Sequence, residues 1–354
     1  MAKRAKSKKA QNQKIIIVAI VLVIAAAIVL GALIGAGVIE FSDIVAFFNR
    51  NEGEEGGGGL EVHFIDVGQG DAILIIFPDG KSMLIDAGNS SNNKERLDYL
   101  LNYLNEHLPA KKIDYLMLTH GDSDHCYYLD DVIAPKNSAY TDFDVDCFFV
   151  PNVRASHSSV SPDISSATLA RFTDEDTLGT AVYAAFFNAV CLEEGAEIRL
   201  NIGVVTISGA DYTLTFYCPT VEDWQQNRLN NAEAKNEISP IGVLEYKGRR
   251  IVLTGDAPEE AEERYVLRAE SLDCDVLKAG HHGSKTSSSE EFLEFVDCEY
   301  AVISCGKNNS YNHPDAEVLD RYASLTMSVY RTDVSGTVVL TVSPSGSIDF
   351  STEK

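Results

Sequence analysis

The chain has 354 residues, a hydrophobic fraction of 45% and a formal net charge of −24. That length allows one large domain or two ordinary ones, and that composition excludes a disordered chain and a polytopic membrane protein. Six of the 29 basic residues lie in the first fourteen and all 53 acidic residues lie beyond them, so the rest of the chain carries about −30. Such a surface repels phosphate backbones at long range and argues against tight non-specific nucleic-acid binding, without forbidding a phosphodiester at a local site.

Residues 1–14 read as a basic tail. An uncharged stretch follows from Ile15 to Ile39, 25 residues long, where roughly 20 suffice to cross the hydrocarbon core. The h-region of a cleaved signal peptide is shorter, about 7–15 residues. Residues 15–39 are therefore expected to be an uncleaved single-span membrane anchor. The cations on one flank, with Glu40 and Asp43 on the other, put the N-terminus in the cytoplasm and the bulk of the chain outside. Residues 40–59 read as a juxtamembrane piece and a Gly-rich linker, and residues 60–354 as the folded domain.

Short runs rich in Val, Ile and Phe at Glu61–Val67, Asp71–Phe77 and Ser82–Asp86 predict strands, separated by turn signals. Leu97, Leu100, Leu101 and Leu104 predict a helix over Lys94–His107. Ile113–Thr119 is a strand and Phe148–Val150 a shorter one. Ser156–Ser166 reads as a mobile polar loop and Thr177–Glu193 as a helix. Strands follow at Val204–Ser208 and Leu214–Cys218, then a polar helix or loop from Glu222 to Asn236. Ile241–Tyr246 and Arg250–Thr254 flank a Lys-Gly turn and predict a hairpin. Pro258–Glu270 is an acidic helix, Asp275–Lys278 a strand, Ser288–Phe295 a helix, Tyr300–Ser304 a strand and Ala316–Ser324 a helix. Two last strands flank Ser335-Gly336. Strands and helices alternate in two β-rich halves, which predicts an α/β arrangement of four layers with two facing sheets.

The seven cysteines include no Cys-x-x-Cys pair, so a zinc ribbon or thioredoxin-type site is not expected. Several sit in apolar runs and read as small core residues. The odd number leaves at least one thiol free or paired between chains.

Chemistry concentrates where strands end. Leu118-Thr-His-Gly-Asp-Ser-Asp-His125 puts His120, Asp122, Asp124 and His125 into six residues directly after a strand. That many ionisable groups in one turn suit divalent cations, whose charge offsets the desolvation; a solvated polar loop is the plain alternative. Asp256 ends Val252–Asp256, where a helix N-cap is the plain alternative. His281 and His282 lie between glycines after the strand ending at Lys278. Asn309-Ser-Tyr-Asn-His-Pro314 follows the strand ending at Ser304. His63 reads as structural, and His107 ends a helix where a cation favours the dipole.

These segments resemble those of the metallo-β-lactamase fold hydrolases, and most closely the branch found as the C-terminal domain of ComEC-type competence proteins. The matching pieces are Phe64-Ile-Asp-Val-Gly-Gln-Gly-Asp71, Leu84-Ile-Asp-Ala-Gly88, the His120–His125 motif, Leu253-Thr-Gly-Asp256, His281-His-Gly-Ser284 and Asn309–Pro314, in the family's order over about Glu61 to Ser343. The resemblance implies an αβ/βα sandwich with two divalent metal ions. His120 and Asp122 would hold one, Asp124 and His125 the other. Asp256 would bridge them, His281 or His282 would complete the second site, and Asp86 would brace the histidine loop. His281 is taken as the ligand and His282 as a catalytic group. Asp122 stands where most relatives have histidine, which extends the plausible metals from zinc toward manganese.

An expected further ligand is not evident; His157 is the sole histidine between His125 and Asp256. Cys126-Tyr127-Tyr128 replaces a small Gly-Gly pair, and the two tyrosines are read as narrowing the pocket or touching substrate. Asp124, His282 and His313 are the candidate catalytic groups, and Ser284, Asn309 and Tyr311 candidate substrate contacts. The expected activity is that of an exported, membrane-anchored, metal-dependent phosphodiesterase or nuclease acting on DNA beside an uptake machinery. The alternative is a hydrolase of a cell-wall or other extracellular phosphodiester, similar to choline-phosphate esterases. A non-catalytic binding module is the remaining alternative.

Overall fold

Two sheets stand face to face. Each is half antiparallel and half parallel, and in each the parallel half delivers the residues of interest. The computed structural model describes residues 58–134, 142–173, 177–226, 232–269 and 273–354. The basic tail, the expected anchor at 15–39 and the linker up to residue 57 lie outside the described residues. Among the described residues, no helix is long and apolar enough to cross a membrane.

The first sheet has the order β17-β16-β1-β2-β3-β4-β5-β8. Its strands are β1 (Leu60–Phe64), β2 (Ala72–Ile76), β3 (Ser82–Ala87), β4 (Lys112–Met117), β5 (Asp144–Val150), β8 (Glu197–Leu200), β16 (Val338–Val342) and β17 (Ile348–Thr352). The second has the order β15-β14-β13-β12-β11-β10-β9. It contains β9 (Val204–Ser208), β10 (Tyr212–Tyr217), β11 (Ile241–Tyr246), β12 (Arg249–Leu253), β13 (Val276–Lys278), β14 (Tyr300–Ile303) and β15 (Ser328–Arg331). β3, β4, β5 and β8 run parallel, as do β12, β13, β14 and β15. A two-stranded ladder pairs β6 (Arg154–Ala155) with β7 (Thr177–Leu178).

Alternation along each strand sorts side chains into separate cores. In β2, Leu74 faces the outer helices while Ile73 and Ile75 face the second sheet. In β12, Ile251 and Leu253 meet the first sheet while Val252 meets the outer helices. Each such aliphatic side chain contributes about 1.5–3 kcal/mol on burial. The result is a helix–sheet–sheet–helix sandwich.

Helix α1 (Lys94–His107) covers the first sheet. Asn93 caps it, its side chain accepting from Arg96 N at 3.2 Å, and Leu100, Leu101 and Leu104 are buried. Two short helices follow β4, α2 (Ser123–Cys126) and α3 (Leu129–Ile133), and α4 (Ser166–Leu169) lies within the Ser-rich stretch. The helix expected over Thr177–Glu193 begins later. Residues 177 and 178 form β7, and Thr180 caps α5 (Ala181–Leu192), accepting from Tyr183 N at 3.2 Å.

The polar stretch after β10 contains α6 (Val221–Gln226) and α7 (Ala232–Asn236). Helices α8 (Glu259–Val266), α9 (Glu290–Val296) and α10 (Ala316–Ser324) cover the second sheet, and α11 (Thr332–Ser335) separates β15 from β16. All seven cysteines are free thiols, six of them buried.

Candidate metal centre

The parallel strands β3, β4, β12, β13 and β14 end side by side, and the segments after them converge from both sheets. The carboxyl ends of parallel strands are where open α/β sheets place ligands. Asp86, near the end of β3, holds φ 57°, in the left-handed region. Its Oδ1 accepts from Thr119 N at 2.8 Å and its Oδ2 from Thr119 Oγ1 at 2.7 Å. The same Oδ2 accepts from His125 Nδ1 at 2.7 Å. This holds the segment after β4 against β3 and turns His125 Nε2 inward.

Backbone contact completes the arrangement. Asp71 N donates to Asp124 O at 2.9 Å and Gly88 N to Asp71 O at 3.0 Å. A Cβ on Gly88 would lie 2.1 Å from Asp124 C, so only glycine admits α2 this close.

The floor of the site is made of His120, His125, His282 and Asp256, each no more than 2% exposed. His125 Nε2 lies 3.0 Å from Asp256 Oδ1, His120 Nε2 4.0 Å from Asp256 Oδ2 and His282 Nε2 3.7 Å from the same oxygen. None of these three Nε2 atoms, nor Asp256 Oδ1, is aligned in a hydrogen bond with any partner. Buried polar atoms are nearly always satisfied; here several converge on one volume.

The mouth is partly exposed. Asp122 Oδ2 stands 4.0 Å from His120 Nε2, Asp124 Oδ2 3.5 Å from His282 Nε2, and His281 Nε2 3.6 Å from Asp256 Oδ2. Asp122 opens α2 but makes no capping hydrogen bond with its side chain; it pairs with Lys235 of α7.

The two adjacent histidines divide in a way the sequence left open. Residues 280–283 form a 3-10 turn in which His281 (φ 48°) and His282 (φ 55°) are both left-handed, at a cost on the order of 1 kcal/mol each. This turn sends the rings apart. His282 is the buried one, its Nδ1 2.9 Å from Ser304 O. His281 stays 26% exposed, its Nδ1 3.0 Å from Thr286 Oγ1. Burial thus makes His282 the inner of the two, while His281 stands at the mouth with its Nε2 beside Asp256.

The charges agree with the geometry. Burial and the neighbouring His125 push His120 down to about 3. Burial also opposes a proton on His125, but Asp256 and Asp86 outweigh it and hold that proton well above the ordinary histidine range. His282 is raised to about 10, burial being outweighed by Asp256, Asp124 and Asp71. Asp256 is held well below the usual carboxylate range, burial being outweighed by His125, His282 and His281. A divalent cation that binds among these carboxylates displaces the protons of such imidazoles and takes the ring nitrogens as ligands. The residues fit such a cation. Among the described residues, Asp71, His125, Asp256 and His282 form a group whose ligand atoms all lie within 4.8 Å of one another, and imidazole with carboxylate suits both zinc and manganese.

The other expected residues divide. His313 and Tyr311 stack at 5.8 Å and 15°, with His313 5.7 Å from His281 and Tyr311 53% exposed. Burial, His281 and His282 lower the His313 pKa. Ser284 is buried, its Oγ 3.0 Å from Thr286 Oγ1. Asn309 spends its side chain on its own loop: it donates to Gly306 O at 2.9 Å and His313 O at 2.6 Å and accepts from Tyr311 N and His313 N. His157 is exposed on the turn after β6, and no ion pair or hydrogen bond joins it to the cluster. Tyr128 is fully buried and donates to Asn93 O at 2.9 Å, and Tyr127 packs against the same core. The tyrosines fill the interior rather than the pocket.

The partners of three residues were not expected from the sequence, where Asp71 only ends a matching motif and Lys278 is only an isolated positive charge near the site. Asp71 and Lys278 form a fully buried ion pair at 2.8 Å, and Lys235 reaches Asp122. Asp71 ends a Gly-Gln-Gly-Asp run that reads as a turn, and no local signal marks its partner in another strand.

Residues 65–136 match the Metallo-beta-lactamase superfamily. ComE operon protein 3 of Bacillus subtilis is 29% identical over 293 residues, 78% of this chain and 32% of that protein. Competence protein ComA of Neisseria gonorrhoeae is 43% identical over 90 residues, 25% of this chain and 13% of that protein. The chain thus spans about a third or less of the length of these curated relatives. The metallo-beta-lactamase fold protein YhfI of Bacillus subtilis, a solved structure, is 11% identical with a TM-score of 0.45, over 83% of this chain and 100% of that one. By these matches residues 65–136 are similar to the metallo-beta-lactamase superfamily, and 78% of the chain is similar to a ComE operon protein.

Proposed function

We propose that this chain is a metal-dependent phosphodiesterase of the nuclease type. The observation that carries the reading is the convergence of three buried imidazole Nε2 atoms and one carboxylate oxygen, none in a hydrogen bond, between the strand ends of two sheets. His120, Asp122 and Asp256, with His281 at the edge, are the residues to hold one cation. Asp124, His125 and His282, with Asp256 shared, are those to hold a second. When bound, such a pair supplies Lewis acidity and lowers the pKa of water toward neutrality.

The chain's own residues do the rest. Asp124, at the mouth, orients the attacking water and accepts its proton on a carboxylate oxygen. Asp86 fixes His125 through Nδ1. Lys235 meets an anionic oxygen of the incoming diester. The proton that Asp124 takes from the water is passed to the leaving oxygen, which His313, 5.7 Å from His281, contacts through its ring. The buried floor keeps bulk water out.

Residues 15–39 are proposed as the single-span anchor and residues 60–354 as the hydrolase domain outside the membrane. The similarity to competence proteins favours DNA as substrate and a DNA-uptake machinery as partner. The net charge of −24 and the exposed face of Tyr311 favour a second reading, a phosphodiester with a cationic head group such as a choline phosphate.

The test is hydrolysis of single-stranded DNA, double-stranded DNA and an aryl phosphodiester by the compact unit Gly58–Lys354, with added manganese or zinc. Asp124→Asn is expected to lower the rate about 100-fold or more. Equal rates in that variant would sink the mechanism, and cleavage of choline-phosphate esters with DNA left intact would favour the second reading.

A further inference from the structure

We propose that Asp71 and Lys278 are a positioning pair that orients His282 and so sets the cation affinity of the centre; this rests on the cation reading above. Lys278 ends β13 of the second sheet and Asp71 immediately precedes β2 of the first, so the pair spans the gap between the sheets. Both side chains are fully buried, with Lys278 Nζ 2.8 Å from Asp71 Oδ2 and donating to Ala279 O at 2.8 Å. A lysine with no access to water persists only when its charge is matched, and Asp71 is the carboxylate that matches it.

The other Asp71 oxygen, Oδ1, lies 3.3 Å from His282 Nδ1, which is also 2.9 Å from Ser304 O. Ser304 O is the hydrogen-bond acceptor that keeps a hydrogen on Nδ1, and the negative charge of Asp71 Oδ1 beside it favours the same tautomer. Nε2 is left to face Asp124 and Asp256. Asp86 treats His125 in the same way, at 2.7 Å from its Nδ1. Two of the three inward histidines, His125 and His282, are therefore each backed by a buried aspartate from the first-sheet side. The aspartates differ in what steadies them. Asp86 receives two neutral donors from Thr119, whereas Asp71 receives a full positive charge from the opposite sheet. Asp71 also pins α2 through its N–H to Asp124 O, at 2.9 Å. Asp71 offers an oxygen within 4.8 Å of the ligand atoms of His125, Asp256 and His282, but with Oδ2 paired to Lys278 and Oδ1 beside His282 Nδ1 it acts through His282 rather than as a ligand. Carboxylates behind ligating histidines raise metal affinity by fixing tautomer and ring orientation.

The experiment titrates the chelator-treated full chain with Mn2+ and Co2+, reading affinity, cations per chain and the Co2+ absorption spectrum. Asp71→Asn should weaken cation affinity by about 10- to 100-fold, with the number of cations unchanged and the Co2+ bands shifted. Lys278→Gln should match it, and Lys278→Arg, which keeps the charge, should restore most of the affinity. Unchanged affinity and spectrum in Asp71→Asn overturn the proposal, whatever happens to thermal stability. Loss of one cation per chain also overturns it, by making Asp71 a ligand. Where Asp71→Asn does not fold, the charge-balanced Asp71→Asn/Lys278→Met variant is read by the same criteria. Wild-type protein that takes up neither cation defeats the cation reading itself, an outcome distinct from each of these.

Discussion

Asp86 Oδ2 sits 2.7 Å from His125 Nδ1, deep in the protein and on the side of the ring away from the cluster. That contact makes His125 an oriented imidazole rather than a free one, and Asp86 adopts a left-handed backbone to make it. Asparagine tolerates that backbone conformation. Asp86→Asn should therefore fold, and should weaken manganese or zinc binding by about 10- to 100-fold, measured by calorimetric titration. An unchanged dissociation constant would remove Asp86 from the account.

Gly88→Ala tests the backbone contact that presents Asp124 and His125. The added Cβ would meet Asp124 C at 2.1 Å. Either α2 retreats or the fold strains, and the cost is about 1–3 kcal/mol. Thermal unfolding should show a lower midpoint, and cation affinity should fall with it. A variant indistinguishable in both would mean that the approach of α2 to β3 is looser than the structure shows.

Lys235→Ala tests the mouth. Lys235 is the cation paired with Asp122. Removing it frees Asp122 for a metal ion and takes a positive charge from the path of an anionic substrate. Tighter cation binding is expected together with a KM raised by about 10-fold, the size of one hydrogen bond to a charged group. A fall in kcat with KM unchanged would instead assign Lys235 to the chemical step.

A separate pH dependence lies outside the cluster. Glu262 of α8 accepts from Ser288 N at 2.6 Å and Ser289 N at 2.9 Å, and burial nevertheless raises its pKa to about 7. A carboxyl raised in the folded state binds its proton more tightly there than in the unfolded chain. Its contribution to stability is thus fully present below the ordinary value of 4.5 and is lost as pH rises through about 7. The unfolding midpoint should fall across that window. In Glu262→Gln the part due to this group should be absent, and an identical pH slope would contradict the assignment.

Much of this was legible in the sequence because it is local. The leucines of α1 mark its buried stripe, the Lys-Gly turn joins β11 to β12, and the His120–His125 segment announces its chemistry within six residues. What was missed is either short, charged or distant. β8 reads Glu-Ile-Arg-Leu, and β17, at a sheet edge, reads Ile-Asp-Phe-Ser-Thr. Neither holds enough apolar residues to stand out, and both exist because a neighbouring strand offers its backbone. The choice between His281 and His282 depended on two left-handed residues in a row, which no spacing rule anticipates. Asp71 and Lys278 are joined only when the two sheets close. The two tyrosines after His125 looked like pocket residues because the motif is near them in sequence, yet the turn into α3 carries Tyr128 into the core.

The central claim is that the buried nitrogens of His120, His125 and His282 and the carboxylate of Asp256 hold divalent cations. Elemental analysis by mass spectrometry of the full chain, loaded with manganese or zinc and then dialysed, tests it most directly. The account predicts about two cations per chain for the wild type and fewer in Asp256→Asn, with the apo forms of both equally folded. Wild-type protein that retains no cation, or Asp256→Asn that retains as many as the wild type, would contradict it.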